Sequence, residues 1–232
     1  MDANKYKDFA EKTLKIKFSN IDHLISAFTH RSYLNENRGT KLDHNERLEF
    51  LGDAVLELVV TEFLYTSFDE PEGILTNWRS SLVRTESIAA AATKLGFESL
   101  LRLSKGESKG TERARTQILA NSFEAVIGAI YIDQGYEKAK KFITNNIIST
   151  FDQILETGAW MDPKSKLQEL AQSNENQTPQ YRILSEEGPD HNKTFTVGVY
   201  VNSVLRGQGT GASKQEAQQK AAKEALKFYK ID

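Results

Sequence analysis

The chain has 232 residues, a length that suits one or two domains, and 39% of them are hydrophobic. It contains no cysteine, which excludes disulfide bonds and thiolate metal sites. The formal net charge is −2, so composition alone does not indicate the basic protein expected of a nucleic-acid binder. No apolar run approaches the roughly 20 residues of a membrane span, and the polar N-terminus lacks a signal peptide, so we expect a cytoplasmic location without membrane contact.

The first two thirds of the chain has helical periodicity and no strand pattern. Pro71, Gly96 and the glycine-punctuated segment 104–110 are the natural breaks. The pattern predicts an all-α domain over 1–156 and a short linker over 157–161. The helices predicted in its main part cover 45–65, 76–95, 115–133 and 136–155.

The remainder, 162–232, has a different pattern. Asp162-Pro163 suits a helix start, with an acid at the cap and proline at the first helical position. After Pro179 the period of the apolar residues changes to two, which indicates strands. The pattern predicts an α+β domain of order α-β-β-β-α, with strands over 180–185, 194–201 and 203–209 and a last helix over 213–229.

Acidic residues share one face of the helix predicted over 45–65. Glu46, Glu49 and Asp53 lie at i, i+3 and i+7. Acids stacked in this way repel each other by a few tenths of a kcal/mol per pair, a cost that a divalent cation would remove. The alternative is a solvated acidic stripe, which is common on helices.

Other faces of these helices carry different side chains. On the helix over 45–65, Leu48, Leu51, Val55 and Leu58 repeat at helical spacing, and we expect them in the core. On the helix over 115–133, Asn121 and Glu124 lie at i and i+3, so both can face the acidic helix.

Four segments of the first domain resemble the ribonuclease III family, which cuts double-stranded RNA. They are Phe28–Tyr33, Asn45–Leu56, Leu75–Val83 and Phe123–Tyr131, in the order and approximate spacing of that family. The C-terminal part resembles a double-stranded-RNA-binding domain. The resemblance covers nearly the whole chain and implies an all-helical endonuclease domain followed by an RNA-binding domain, acting in RNA processing.

The resemblance also implies a metal site. In the family, positions matching Glu49, Asp53, Asn121 and Glu124 form the metal cluster, and positions matching Glu46 and Glu72 bear on the reaction. We expect Glu46, Glu49, Asp53 and Glu124 to be catalytic. Such a cluster suits Mg²⁺, with Mn²⁺ as a substitute, and no organic cofactor is expected. The implied products carry 5′-phosphate and 3′-hydroxyl ends with short 3′ overhangs.

Asn121 departs from the family, which usually has aspartate there. Asparagine can ligate through its carbonyl oxygen but supplies no negative charge, so Mg²⁺ should bind more weakly. Three explanations stay open: a natural variant that keeps activity, a substitution that traps substrate, and a loss of catalysis. The alternative function is accordingly a duplex-RNA-binding protein with weak or absent cleavage.

The family resemblance predicts a homodimer. Phe50 and Leu51 match a part of the helix that lies at a two-fold interface in the family, where paired sites cut opposite strands. A core role within one subunit is the alternative for both residues.

The second domain is expected to bind duplex RNA on one polar face. Ser165, Gln168, Glu169 and Gln172 lie on one side of its first helix and suit 2′-hydroxyls and base edges. The loop with His191 could enter the next minor groove, and Ser213 and Lys214 begin the last helix, where phosphates are favoured. Gln215 and Gln218 replace lysines common in the family, so weak binding by this domain alone is expected. The sequence leaves the natural RNA open among ribosomal precursors, messages and small-RNA duplexes.

Overall fold

In the computed structural model the chain divides into two compact units, Met1–Trp160 and Met161–Asp232. The structure describes residues 3–37, 39, 42–158, 160, 162–189 and 193–229. Among these residues, none of the helices is both long and apolar enough to cross a membrane.

The described part of the first unit is helical, as predicted. Its longest helices, α4 and α7, carry the predicted acidic residues, and α7 is mostly buried over 118–130. The helices are α1 Ala3–Phe9, α2 Ile21–Ala27, α3 Arg31–Glu36, α4 Glu46–Ser67, α5 Glu72–Val83, α6 Thr85–Lys94, α7 Glu112–Gln134, α8 Tyr136–Asn146 and α9 Phe151–Thr157, with a π-helical turn at Ala10–Leu14 and 3₁₀ turns at Phe97–Leu100, Glu107–Lys109 and Ile148–Thr150.

Helices α4 and α7 cross in direct backbone contact because each has a glycine at the crossing. A Cβ atom at Gly52 would lie 1.7 Å from the carbonyl oxygen of Glu124. A Cβ atom at Gly128 would lie 2.2 Å from the carbonyl oxygen of Leu48. Any larger residue would therefore force the two helices apart.

Two predicted helices are each interrupted. The helix predicted over 76–95 is wrong as a single element, because Arg84 is extended (φ −67°, ψ 150°) between α5 and α6. The Ser87 hydroxyl donates to the Ser81 carbonyl at 2.8 Å and so satisfies an end of α5 without helix continuation. The helix predicted over 136–155 is likewise divided at Ile147, where the Thr150 hydroxyl donates to the backbone carbonyl at 2.7 Å.

The expected core face of α4 is confirmed in part. Val55 is buried, and Leu48 and Leu51 are half-buried against the core. Leu58 does not fit the expectation, because 58% of its surface is exposed. The spacing places Leu58 near the edge of the apolar stripe, and no neighbouring helix covers that edge within the described residues.

The second unit has the predicted order α-β-β-β-α. The sheet is antiparallel with strand order β1-β2-β3, and Val197, Val199 and Val201 of β2 are fully buried. The Asp162 carboxylate accepts the N–H groups of Lys164 and Ser165 and caps the first helix, as predicted. The elements are α10 Pro163–Glu175, β1 Gln180–Glu187, β2 Thr194–Val201, β3 Val204–Gly211 and α11 Lys214–Leu226.

Candidate functional site

The crossing of α4 and α7 brings four of the predicted site residues together. Glu49 and Asp53 stand on α4, and Asn121 and Glu124 stand on α7. The Gly52–Glu124 backbone contact lies between them, so the two pairs face each other across the crossing. Asp53 is exposed, while the other three are half-buried, which leaves the cluster open to a ligand on one side.

The cluster changes the proton affinity of two carboxyl groups. Burial, and then the negative charges of Asp53 and Glu49, raise the pKa of the Glu124 carboxyl to about 8. Burial is also the largest cause that raises the pKa of Glu49, and the charge of Glu46 adds to the rise. The Glu124 carboxyl is therefore mostly protonated at neutral pH when no cation is bound.

Asn121 is held between two neighbours. Its side-chain oxygen accepts a hydrogen bond from Gln117 Nε2 at 2.7 Å. It is also hydrogen-bonded to Glu49, where it opposes the rise of the Glu49 pKa. An aspartate at this position would be a further negative charge beside Glu49, whereas the amide donates to it.

Glu46 and Glu72 are placed differently from the other acids. Glu46 faces Arg31, at 3.5 Å from Nη1, and His44, at 3.8 Å from Nδ1. Glu72 begins α5 and accepts a hydrogen bond from Thr76 at 3.0 Å, beside a cavity of about 380 Å³. Within the described residues Glu72 has no hydrogen bond or ion pair with Glu46 or with the four residues of the cluster.

The chemistry of the cluster fits a hard divalent cation. Three carboxylates and one amide oxygen are the donors that Mg²⁺ prefers, and burial together with the charges of Asp53 and Glu49 raises the pKa of Glu124. Among the described residues, however, no group of three or more histidine, cysteine, aspartate or glutamate side chains is gathered as a metal site. Repulsion between carboxylates favours such separation, so binding requires small side-chain movements.

Three residues of this site were missed by the sequence analysis. Gly52 and Gly128 set the helix crossing, and a glycine inside a strong helical pattern is the signal for such a close approach. Gln117 holds Asn121, and the i, i+4 spacing of two amide side chains on a helix is the signal for that bond.

The predicted RNA-binding face of α10 is exposed. Ser165, Gln168, Glu169 and Gln172 are all accessible, while Leu167 on the opposite side is fully buried. Gln172 donates to Asn176 at 2.6 Å, which orients its amide at the C-terminal end of the helix. His191, the predicted loop contact, lies outside the described residues.

At the start of α11 the two predicted residues already have partners. The Ser213 hydroxyl caps the helix by accepting the Glu216 N–H at 3.1 Å, and the Glu216 carboxylate accepts the N–H of Ala212, the residue before the cap, at 2.9 Å. Lys214 Nζ lies 3.3 Å from the carboxylate of Glu186 on β1. A phosphate bound at Lys214 would compete with that carboxylate.

A further lysine stands beside a position where the family's lysine is replaced. Lys164 Nζ, from α10, donates to the side-chain oxygen of Gln218 on α11 at 2.8 Å. It also lies 5.0 Å from the ring centre of Tyr181. Positive charge is thus present next to Gln218, although it comes from another helix.

The surface around Phe50 is apolar and exposed. Phe50 is 81% exposed, and a cavity of about 630 Å³ beside it is lined by Leu48, Leu51 and Ile132 among others. Tyr65, farther along α4, is 78% exposed. An exposed apolar surface of this kind commonly marks a contact with another protein chain.

Comparison with known proteins gives the family. Residues 20–151 match the family model described as Ribonuclease-III-like, and residues 163–229 match the double-stranded RNA binding motif. The Ribonuclease 3 of Desulforamulus reducens is 46% identical over 92% of this chain and 87% of its own length. That of Enterococcus faecalis is 47% identical, over 91% of this chain and 92% of its own length.

A solved structure shows the same helical unit. The nuclease domain of ribonuclease III from Campylobacter jejuni matches with a TM-score of 0.54 and 37% identity, over 61% of this chain and 98% of that chain. Its description refers to a region involved in dimer formation.

The present chain belongs to the ribonuclease III family. Its two domains are those of a double-stranded-RNA-specific endoribonuclease, so the alternative of a binding protein without cleavage is not favoured. The family is generally metal-dependent.

Proposed function

We propose that this endoribonuclease hydrolyses duplex RNA in a Mg²⁺-dependent reaction at Glu49, Asp53, Asn121 and Glu124. The main support is the α4–α7 crossing, which holds these side chains on facing helices by backbone contact. The raised pKa of Glu124 supports the same assignment, because a buried acid beside two others is strained until a cation binds.

When bound, Mg²⁺ would acidify a water molecule for attack on phosphorus and neutralise charge on the phosphate and leaving oxygen. The three carboxylates and the Asn121 oxygen would hold the cation, and Mn²⁺ would be accepted by the same donors. Glu46 lies next to Arg31 and His44 at the start of α4, where it would help to orient the RNA at the cluster. Glu72 is proposed only as a secondary contributor. The expected products have 5′-phosphate and 3′-hydroxyl ends.

We propose that Asn121 weakens the site without abolishing activity. Its oxygen must leave the hydrogen bond from Gln117, or share it, in order to bind a cation. Glu49, Asp53 and Glu124 are all present, so the loss is one charge of four. This favours a natural variant that stays active over a protein that has lost catalysis.

The test is cleavage of an end-labelled RNA duplex in Mg²⁺ by the parent chain, Glu124→Ala and Asn121→Asp. Cutting by the parent that Glu124→Ala abolishes supports the assignment, and end-group analysis checks for 5′-phosphates. Glu98→Ala is a matched control, since Glu98 is an exposed acid paired with Arg115 away from the cluster. Equal cutting by Glu124→Ala and the parent would overturn the assignment.

We also propose that two copies of the chain associate through the surface around Phe50. The 81% exposure of Phe50 and the adjacent cavity of about 630 Å³ suit a self-complementary contact in which an aromatic ring enters a pocket. Two sites would then face opposite strands and leave short 3′ overhangs. Phe50→Ser should give a monomer in analytical ultracentrifugation, while Phe228→Ser, at another exposed phenylalanine, should not.

The duplex would be held by the second domain through Ser165, Gln168, Glu169, Gln172, Ser213 and Lys214. The support is their exposure on α10 and at the start of α11. A role in processing ribosomal or messenger RNA and a cytoplasmic location stay predictions of the sequence analysis.

A further inference from the structure

A cleft in the first unit lies between the N-terminal segment and α8. It encloses about 270 Å³. Its polar lining is basic or neutral, and Leu14, Leu95 and Phe142 form an apolar floor. Its polar lining includes Lys15, Lys138, Lys141 and Asn145.

The charge in this cleft is one-sided. Three lysines line it, whereas no carboxylate does so within the described residues. In the part of the chain that the structure describes, none of these lysines is paired with an acid. Lys140 on the same helix shows the contrast, because it turns to α4 and binds Glu62 at 3.0 Å.

Two backbone segments bring the three lysines to this cleft. Lys138 lies in the first turn of α8, where the helix dipole disfavours a cation, and Lys141 lies about one turn later on the same face. Lys15 follows the π-helical turn and has φ of +58°, a left-handed conformation that is costly for a residue other than glycine. The left-handed conformation of Lys15 ends the π-helical turn, where its N–H bonds to the Ala10 carbonyl oxygen, and both segments contribute lysines to the same cleft.

The cleft is separate from the acidic cluster. Phe142 on its floor packs against Phe123 of α7, with ring centroids 5.1 Å apart. At about 100° of rotation per residue, Phe123 is turned about 100° from Glu124 and about 160° from Asn121. The cleft and the cluster therefore lie on different sides of α7.

We propose that this cleft binds a phosphate group of a ligand other than the duplex segment held at the acidic cluster. Lysine ammonium groups are strong donors to phosphate oxygens, and Asn145 adds a neutral donor on the same face of α8 as Lys138 and Lys141. The phosphate belongs either to a free nucleotide or to an unpaired RNA strand that flanks the duplex. The two sources share the same recognition chemistry.

The test is an NMR titration of the isotopically labelled full chain with pyrophosphate. We expect saturable shifts at Lys138, Lys141 and Asn145. The double variant Lys138→Gln/Lys141→Gln should bind at least tenfold more weakly, while Lys141→Arg, which keeps the charge, stays within about threefold of the parent. Lys7→Gln removes an exposed lysine outside the cleft and should bind like the parent. Glu124→Gln should leave the shifts unchanged, which separates this site from the nuclease site.

Two further arms distinguish the sources of the phosphate. Adenosine monophosphate is titrated alone, and a blunt duplex is compared with the same duplex bearing a single-stranded extension. Shifts in the cleft with the mononucleotide assign a nucleotide site, and shifts only with the extended RNA assign a flanking strand. Absence of shifts in the cleft with all these probes, or undiminished binding by the double variant in a folded protein, would overturn the proposal.

Discussion

Asn121 Oδ1 accepts a hydrogen bond from Gln117 Nε2 at 2.7 Å, so the oxygen that would ligate a cation is already engaged. The Asn121→Asp variant adds a second oxygen and a charge to the cluster. We expect the Mg²⁺ concentration for half-maximal cleavage to fall by about tenfold, equivalent to about 1.4 kcal/mol. Cleavage rates measured across a Mg²⁺ series check this, with Gln153→Glu as a control that adds a charge on α9. A Mg²⁺ dependence that does not move would count against a ligand role for position 121.

The raised pKa of Glu124 makes stability depend on pH in a stated direction. Its folded pKa of about 8 lies above the ordinary glutamate value of 4.5, so the folded state holds the proton more tightly. The stabilisation is complete below about pH 4.5 and is lost as pH rises through about 8. Glu124→Gln removes this loss, so at pH 9 in the presence of a chelator its Tm should exceed that of the parent by about 2–4 °C.

Thermal unfolding followed by circular dichroism at pH 5 and pH 9 measures this effect. The difference between Glu124→Gln and the parent should be small at pH 5 and favour the variant at pH 9. The opposite order would mean that the Glu124 charge is stabilised by the fold. Glu98→Gln, at an exposed acid, should give the same difference at both pH values.

The glycine at the helix crossing should tolerate no side chain. Gly128→Ala places a Cβ atom 2.2 Å from the Leu48 carbonyl oxygen and must separate α4 from α7. We expect a loss of about 3 kcal/mol or more in the free energy of unfolding and a large loss of cleavage. Gly73→Ala is the control, because its Cβ would meet nothing within 4 Å in helix α5. Urea denaturation of both variants compares them, and equal stability would refute the backbone contact.

The Lys214–Glu186 ion pair should restrain RNA binding. Glu186→Gln frees the ammonium group, and an exposed pair of this kind contributes up to about 1 kcal/mol. We expect duplex-RNA affinity to rise by about twofold to fivefold, measured by fluorescence anisotropy at fixed salt. Glu187→Gln changes the net charge equally, but its side chain alternates to the other face of β1. An equal gain in both variants would assign the effect to overall charge.

The sequence predicted elements better than it predicted their breaks. The apolar period and the Asp162-Pro163 start located α4, α7 and the α-β-β-β-α order, since these signals are local. The break at Arg84 was not visible, because a serine hydroxyl that bonds across it leaves no periodic mark. The four cluster residues came from a family resemblance, whereas Gln117 and the Lys214–Glu186 pair depend on contacts that spacing alone does not give.

The backbone contact at Gly52 and Gly128 has a consequence for altering metal preference. Two main chains that touch cannot slide or rotate by small steps, so the distance between the acid-bearing positions is a property of the helix pair. A change of cation size must then be met by the length of the side chains, by exchanging aspartate for glutamate. The selectivity of this enzyme between cations can therefore be changed by one methylene group at a time, while the distance between α4 and α7 stays fixed.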